Sequence, residues 1–277
     1  MGFFAWLFRL KPKKIKLGIA LGSGGAKGYA HLGALRAFEE NGVEFDVVAG
    51  TSIGSIIGAA YADGYTSNDI SGLLGNLGIS ELAGAVLATN GLQKIIDEAL
   101  GGKNIEELKK PFVAIATEVD VGDEYVFSAG SVSIALAASS SMPPYFKPVV
   151  VGNKRYIDGA FTNSVPADRV KEMGADYVVG IDLSSHEPPT GLVKRFYPTF
   201  KNKTDTPWEK GYEYSDVMLN PDLAVEGFTS ISFKEKDRAR MYDLGYKAAM
   251  DAMPKILADI RDLRSGKKKR QKKTVKR

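Results

Sequence analysis

The chain has 277 residues, 44% hydrophobic and 25% charged, which is the balance of an ordinary folded protein with room for one sizeable core. It holds no cysteine, which excludes disulfides, thiolate metal sites and cysteine nucleophiles and fits a reducing compartment. The net charge of +4 is uneven: thirteen of the 37 basic residues lie in 1–16 and 266–277, leaving 24 bases against 33 acids between them. An acidic body with two basic ends does not point to specific nucleic-acid binding.

Residues 1–14 open on Met-Gly-Phe-Phe-Ala-Trp-Leu-Phe-Arg-Leu and turn basic at Lys11-Pro12-Lys13-Lys14. As a helix, the apolar run would reach about 13 Å, against a hydrocarbon core of about 30 Å. The charge follows the apolar run, the reverse of a secretory signal, and Trp6 stands where myristoylation requires Ser or Thr. The pattern suits shallow insertion at a membrane surface; packing on the body or on a second chain is the alternative.

From residue 15 the sequence alternates between strand and helix. Apolar runs over 15–21, 45–49, 112–117 and 177–183 read as buried strands. Helices are expected over 29–41, 52–61, 91–100, 131–140, 166–173 and 235–264. This alternation predicts an α/β sandwich of three layers about a mostly parallel sheet, as one domain over 15–264. Residues 186–214, rich in Pro, Lys and aromatics, read as a long loop and a candidate lid. The tail over 265–277 is a lysine run expected to be disordered.

Two glycine-rich turns stand between strand and helix. Gly50-Thr51-Ser52-Ile53-Gly54 is a G-x-S-x-G in the strand–turn–helix setting of a nucleophile elbow, though a Ser helix cap would also fit. Gly22-Ser23-Gly24-Gly25-Ala26-Lys27-Gly28 lacks the dinucleotide and P-loop spacings, and its unhindered N–H groups suit an oxyanion hole. A serine nucleophile needs a base. His31 reads as an ordinary helix residue. His186, after Asp158, would complete a Ser–Asp–His order, and Asp158 itself, in Tyr156-Ile157-Asp158-Gly159-Ala160, could take the proton directly.

Together, Gly-Gly-Ala-Lys-Gly over 24–28, Gly-Thr-Ser-Ile-Gly over 50–54 and Asp-Gly-Ala over 158–160 resemble the patatin-like phospholipases in order and spacing. The stretches Ala138-Ser139-Ser140-Ser141-Met142-Pro143, Ala116-Thr117-Glu118-Val119, Asp222-Leu223 and Leu244-Gly245-Tyr246 add to the likeness. The resemblance covers about residues 15–264. It is greatest to a compact bacterial branch related to the catalytic domains of neuropathy-target-esterase-like lysophospholipases. It implies hydrolysis of lipid acyl esters without metal or other cofactor, by Ser52 as nucleophile and Asp158 as general base. Gly24, Gly25, Ala26, Lys27 and Gly28 correspond to the family's oxyanion loop, to which the Ile53 N–H could add. A phospholipid or lysophospholipid substrate is then expected, on an anionic membrane surface contacted by residues 1–16 and 266–277, at the inner face of the cell membrane. The alternatives are a triad esterase or thioesterase, and a membrane or nucleic-acid binding module with an idle serine.

Overall fold

The apolar runs pair into one sheet. The computed structural model describes residues 14–76, 91–184, 207–223, 227 and 234–267. Its strands are β1 (Leu17–Leu21), β2 (Val47–Thr51), β3 (Phe112–Glu118), β4 (Asp123–Phe127), β5 (Val149–Val151), β6 (Lys154–Asp158), β7 (Tyr177–Ile181) and β8 (Val217–Leu219). The order is β5-β6-β3-β2-β1-β7-β8, with β4 paired to β3 as well. β3, β2, β1, β7 and β8 run parallel, while β4, β5 and β6 pair antiparallel. The parallel strands β1, β2 and β7 are buried along their whole length, as β-branched and small residues flanked by helices should be.

The helices are α1 (Tyr29–Glu40), α2 (Ile53–Ala62), α3 (Ser67–Asn76), α4 (Gly91–Leu100), α5 (Val132–Ser139), α6 (Ala167–Glu172), α7 (Glu209–Tyr214) and α8 (Glu235–Ser265). Because side chains alternate along a strand, each face of the sheet has its own core. One face presents Ile19, Leu21, Val48, Ala114 and Ile181 to α1, α2, α5 and α8. The other presents Ala20, Ala49, Val113, Ile115 and Val178 to α6 and Tyr214. These are the three layers that the alternation of strand and helix predicts.

The elements differ from expectation in several places, and some expectations fall outside the described residues. α3, β4, β5 and the antiparallel direction of β6 are not apparent from the sequence: 67–76 is mostly polar, β4 is exposed or half-buried until Phe127, and β6 begins with two exposed residues before its buried end. Of the expected loop over 186–214, residues 186–206 lie outside the described residues, and its end is helix α7. α8 runs through Ser265, and Gly266 closes it in the left-handed region (φ 74°). The expected membrane segment over 1–14, save Lys14, and the basic tail from 268 onward also lie outside the described residues.

Candidate active site

Ser52 sits between β2 and α2 with φ 55° and ψ −127° and is the non-glycine residue found at positive φ among the described residues. A backbone held there costs about 1–3 kcal/mol and persists only where its surroundings over-determine it. The flanking glycines make the turn sterically possible. A Cβ on Gly50 would run into the Gly54 carbonyl, and a Cβ on Gly54 would run into the Leu21 carbonyl. The Ser55 hydroxyl donates to the Ser52 carbonyl at 2.7 Å and closes the turn from the helix side. Ser52 occupies the N-cap position of α2, yet its hydroxyl makes no cap bond. It donates instead to Asp158 Oδ2 at 2.6 Å.

The sheet explains how two residues so far apart in sequence meet. β2 runs parallel to β3 and ends with Thr51 opposite Ile115. β6 runs antiparallel to β3 and ends with Asp158 opposite Ala116. β4 occupies the far edge of β3, so β2 and β6 share the near edge and meet head to head, one register step apart. Ser52 and Asp158 are the residues at the junction. By strand alternation, both face the side of the sheet that carries Ala116.

Asp158 is 1% exposed and Ser52 8% exposed. Burial pushes the Asp158 carboxyl up to about 7, against the opposing pull of the Ser52 hydroxyl and the Ala160 N–H, which donates to Oδ1 at 2.9 Å. A carboxylate balanced near neutral pH can both accept and return a proton. The backbone at the junction is held from both faces. Above, the Ser52 N–H donates to Ser139 Oγ at 2.9 Å and the Asp158 N–H donates to the Ser141 carbonyl at 3.1 Å. Below, Thr51 Oγ1 donates to the Asn163 carbonyl at 2.8 Å and Thr117 Oγ1 to the Asp158 carbonyl at 2.9 Å.

The first glycine loop lies against the elbow. Gly24 to Lys27 opens a 3₁₀ turn over Gly25–Gly28, with Gly25 at φ 57°. A Cβ on Gly28 would collide with the Ile53 side chain, so the loop packs directly on the residue after Ser52. Ala26, Lys27 and Gly28 are buried; Gly24 and Gly25 are half-buried. The sequence-expected residues Gly24, Gly25, Ala26, Lys27, Gly28, Ser52, Ile53 and Asp158 therefore form one neighbourhood.

His31 takes a structural place. It is fully buried, its Nε2 lies 2.8 Å from the Gly22 carbonyl, and burial lowers its pKa to about 4. It is neutral near pH 7 and braces the loop. His186 lies outside the described residues.

Sequence reasoning gave no role to a polar cluster on the opposite face of the sheet. Asn163 Nδ2 donates to Asp168 Oδ1 at 2.8 Å and to Glu124 Oε1 at 3.1 Å, and Glu124 pairs with Arg169 at 2.7 Å and Lys210 at 2.9 Å. Burial works to raise the Glu124 carboxyl, but Arg169 and Lys210 outweigh it and hold it below its usual range. Burial, with Glu124 adding to it, raises Asp168. In the sequence, Asn163 simply follows close behind Asp158-Gly159-Ala160. Among the described residues, no group of three or more His, Cys, Asp or Glu could hold a metal ion, and no helix is long and apolar enough to cross a membrane.

A family model described as patatin-like phospholipase matches residues 19–171. Patatin-like phospholipase domain-containing protein 6 of Homo sapiens is 31% identical over 222 residues, 75% of this chain and 16% of that protein. An uncharacterized NTE family protein of Mycobacterium tuberculosis is 29% identical over 183 residues, 62% of this chain and 50% of that protein. The chain thus spans half or less of the length of these relatives. The crystal structure of VipD from Legionella pneumophila shares the fold, with a TM-score of 0.54 at 15% identity, covering 88% of this chain and 67% of that one.

Proposed function

The chain belongs to the patatin-like phospholipase family, and from that premise we propose that it is a lipid acyl hydrolase working through Ser52 and Asp158. The observation that carries this reading is the 2.6 Å hydrogen bond from a strained serine to a buried carboxylate balanced near pH 7. Ser52 Oγ attacks the acyl-ester carbonyl as its proton passes to Asp158 Oδ2. The oxyanion is taken up by backbone N–H groups of the 24–28 loop together with that of Ile53. Asp158 returns the proton to the departing alcohol. The same carboxylate then draws a proton from water, which releases the fatty acid and restores Ser52.

The substrate is a phospholipid or lysophospholipid, and an NTE-like lysophospholipase is the finer reading. The family membership and the apolar, basic ends of the chain support it. Residues 1–16 and 266–277 hold the enzyme on anionic lipid, where each Lys or Arg near the surface contributes about 1 kcal/mol. The test is labelling with a fluorophosphonate probe, followed by lipid profiling of native membrane extract with wild type and Ser52→Ala. Covalent labelling at Ser52 and release of free fatty acid by wild type alone are expected. Absence of both sinks the reading in favour of a binding module.

A further inference from the structure

The ladder hydrogen bonds of β2 stop just short of Ser52. Its register with β1 ends at Gly50 and its register with β3 ends at Thr51. The Ser52 N–H is therefore a buried donor at the one strained residue of the junction, and a buried N–H must find an acceptor. A side chain supplies it. Ser139, the last residue of α5, is 0% exposed, and its Oγ lies 2.9 Å from the Ser52 nitrogen. Two residues on, the Ser141 carbonyl accepts the Asp158 N–H. A single turn at the end of α5 thus grips the backbone on both sides of the junction.

From this arrangement we infer that Ser139 is a positioning residue for Ser52. The inference rests on the reading of Ser52 as nucleophile. Ser139 does not meet the ester. It fixes the peptide plane before Ser52, and with it the direction of Cα–Cβ and the aim of Oγ between Asp158 and the carbonyl to be attacked. With that acceptor removed, the peptide is free to rotate out of the left-handed region. The hydroxyl then swings off its line, while the surface that binds the acyl chain is unchanged. The damage belongs to the chemical step and not to binding.

The test uses the full chain, a soluble p-nitrophenyl ester and a fluorophosphonate probe, below the melting temperature of every variant. Ser139→Ala is compared with Ser133→Ala, a buried serine of the same helix whose Oγ lies 3.0 Å from Ser131 Oγ. Ser139→Ala is expected to lower kcat about 100-fold, as small misplacements of reacting groups do. KM should stay within about twofold, since uniform binding is untouched. The rate of probe labelling should fall in proportion to kcat. Ser133→Ala should lose melting temperature but keep kcat. Ser139→Cys, matched in size and a poorer acceptor, should fall between wild type and alanine, and it gives the same readout should the alanine variant fail to accumulate. Unchanged kcat in Ser139→Ala overturns the inference, as does a rise in KM at constant kcat. Ser52→Ala run in parallel separates the two claims. Hydrolysis surviving there overturns Ser52 as nucleophile, whereas a dead Ser52→Ala beside a fully active Ser139→Ala overturns only the positioning role.

Discussion

Across the sheet at the β2–β6 junction, the buried carboxyls of Asp158 and Glu124 are shifted in opposite directions. On one face, Asp158 meets a hydroxyl and a backbone N–H, and burial carries it up to about 7. On the other, Glu124 and Asp168 lie among Arg169, Lys210 and Asn163, and the cations hold Glu124 below its usual range. The difference fits the role proposed for Asp158. A carboxylate stabilised by neutral donors keeps a proton affinity fit for exchange. A carboxylate locked to guanidinium and ammonium is a brace. Asn163 ties the charged cluster to the junction backbone: its side chain binds the cluster, while its carbonyl accepts the Thr51 hydroxyl and its N–H donates to the Gly159 carbonyl.

The sharpest way to break this contrast is to remove Ser52 and Asp158, the groups proposed to react. Ser52→Ala is expected to cost about 10⁶ in kcat, the scale at which a triad serine is lost. Asp158→Asn keeps the shape and should cost about 10⁴. Circular dichroism of both variants should match wild type. Full activity in Asp158→Asn, with loss in His186→Ala, would hand the base to the histidine.

The next effect is on pH dependence. The kcat/KM for a soluble ester should climb as pH rises toward about 7, where Asp158 loses its proton, and then level off. Stability should run the other way. The folded chain holds the Asp158 proton more tightly than the unfolded chain, whose carboxyl has the ordinary value of 3.8. This contribution is therefore full below about 4 and is lost as pH rises through about 7. Asp158→Asn should remove that slope in urea melts, and an unchanged slope would count against a perturbed Asp158.

Arg169→Met probes the bracing face. It leaves Glu124 and Asp168 short of a partner and should cost about 3–5 kcal/mol of stability in urea, with activity per folded molecule little changed. A loss of activity without a loss of stability would erase the division between the faces. The smallest effect on either face should come from deleting 1–14 and 266–277. Salt-sensitive binding to anionic vesicles should weaken while hydrolysis of a soluble ester stays intact. Unchanged binding would leave those ends a role in solubility alone.

Much of this was written locally in the sequence. The parallel strands are short β-branched runs, and the elbow is legible because Gly50 and Gly54 have steric reasons to be glycine that hold in any strand–turn–helix setting. Asp158 is legible as an acid before glycine that could take the serine proton, and the family resemblance points to it as the base. What joins it to Ser52 was not legible. The head-to-head meeting on β3 depends on β6 pairing in a direction that no local pattern encodes. Ser139 was visible only as part of a serine-rich stretch, since its acceptor role appears once α5 is docked over the junction. Asn163, Glu124 and Arg169 are ordinary polar residues until the fold buries them together. In sequence His31 fits an ordinary helix position, and its bond to the Gly22 carbonyl appears only in the fold.

The head-to-head junction also turns activity into a clock for folding. The elbow is built from β2, the turn and α2, all close in sequence, whereas Asp158, its proposed base, lies 106 residues later on a strand that docks to β3 through three residue pairs. Contacts of such separation form late, because the intervening loop must close first. During refolding, helical signal should therefore return ahead of esterase turnover. The lag between the two measures the docking of β6 beside the elbow.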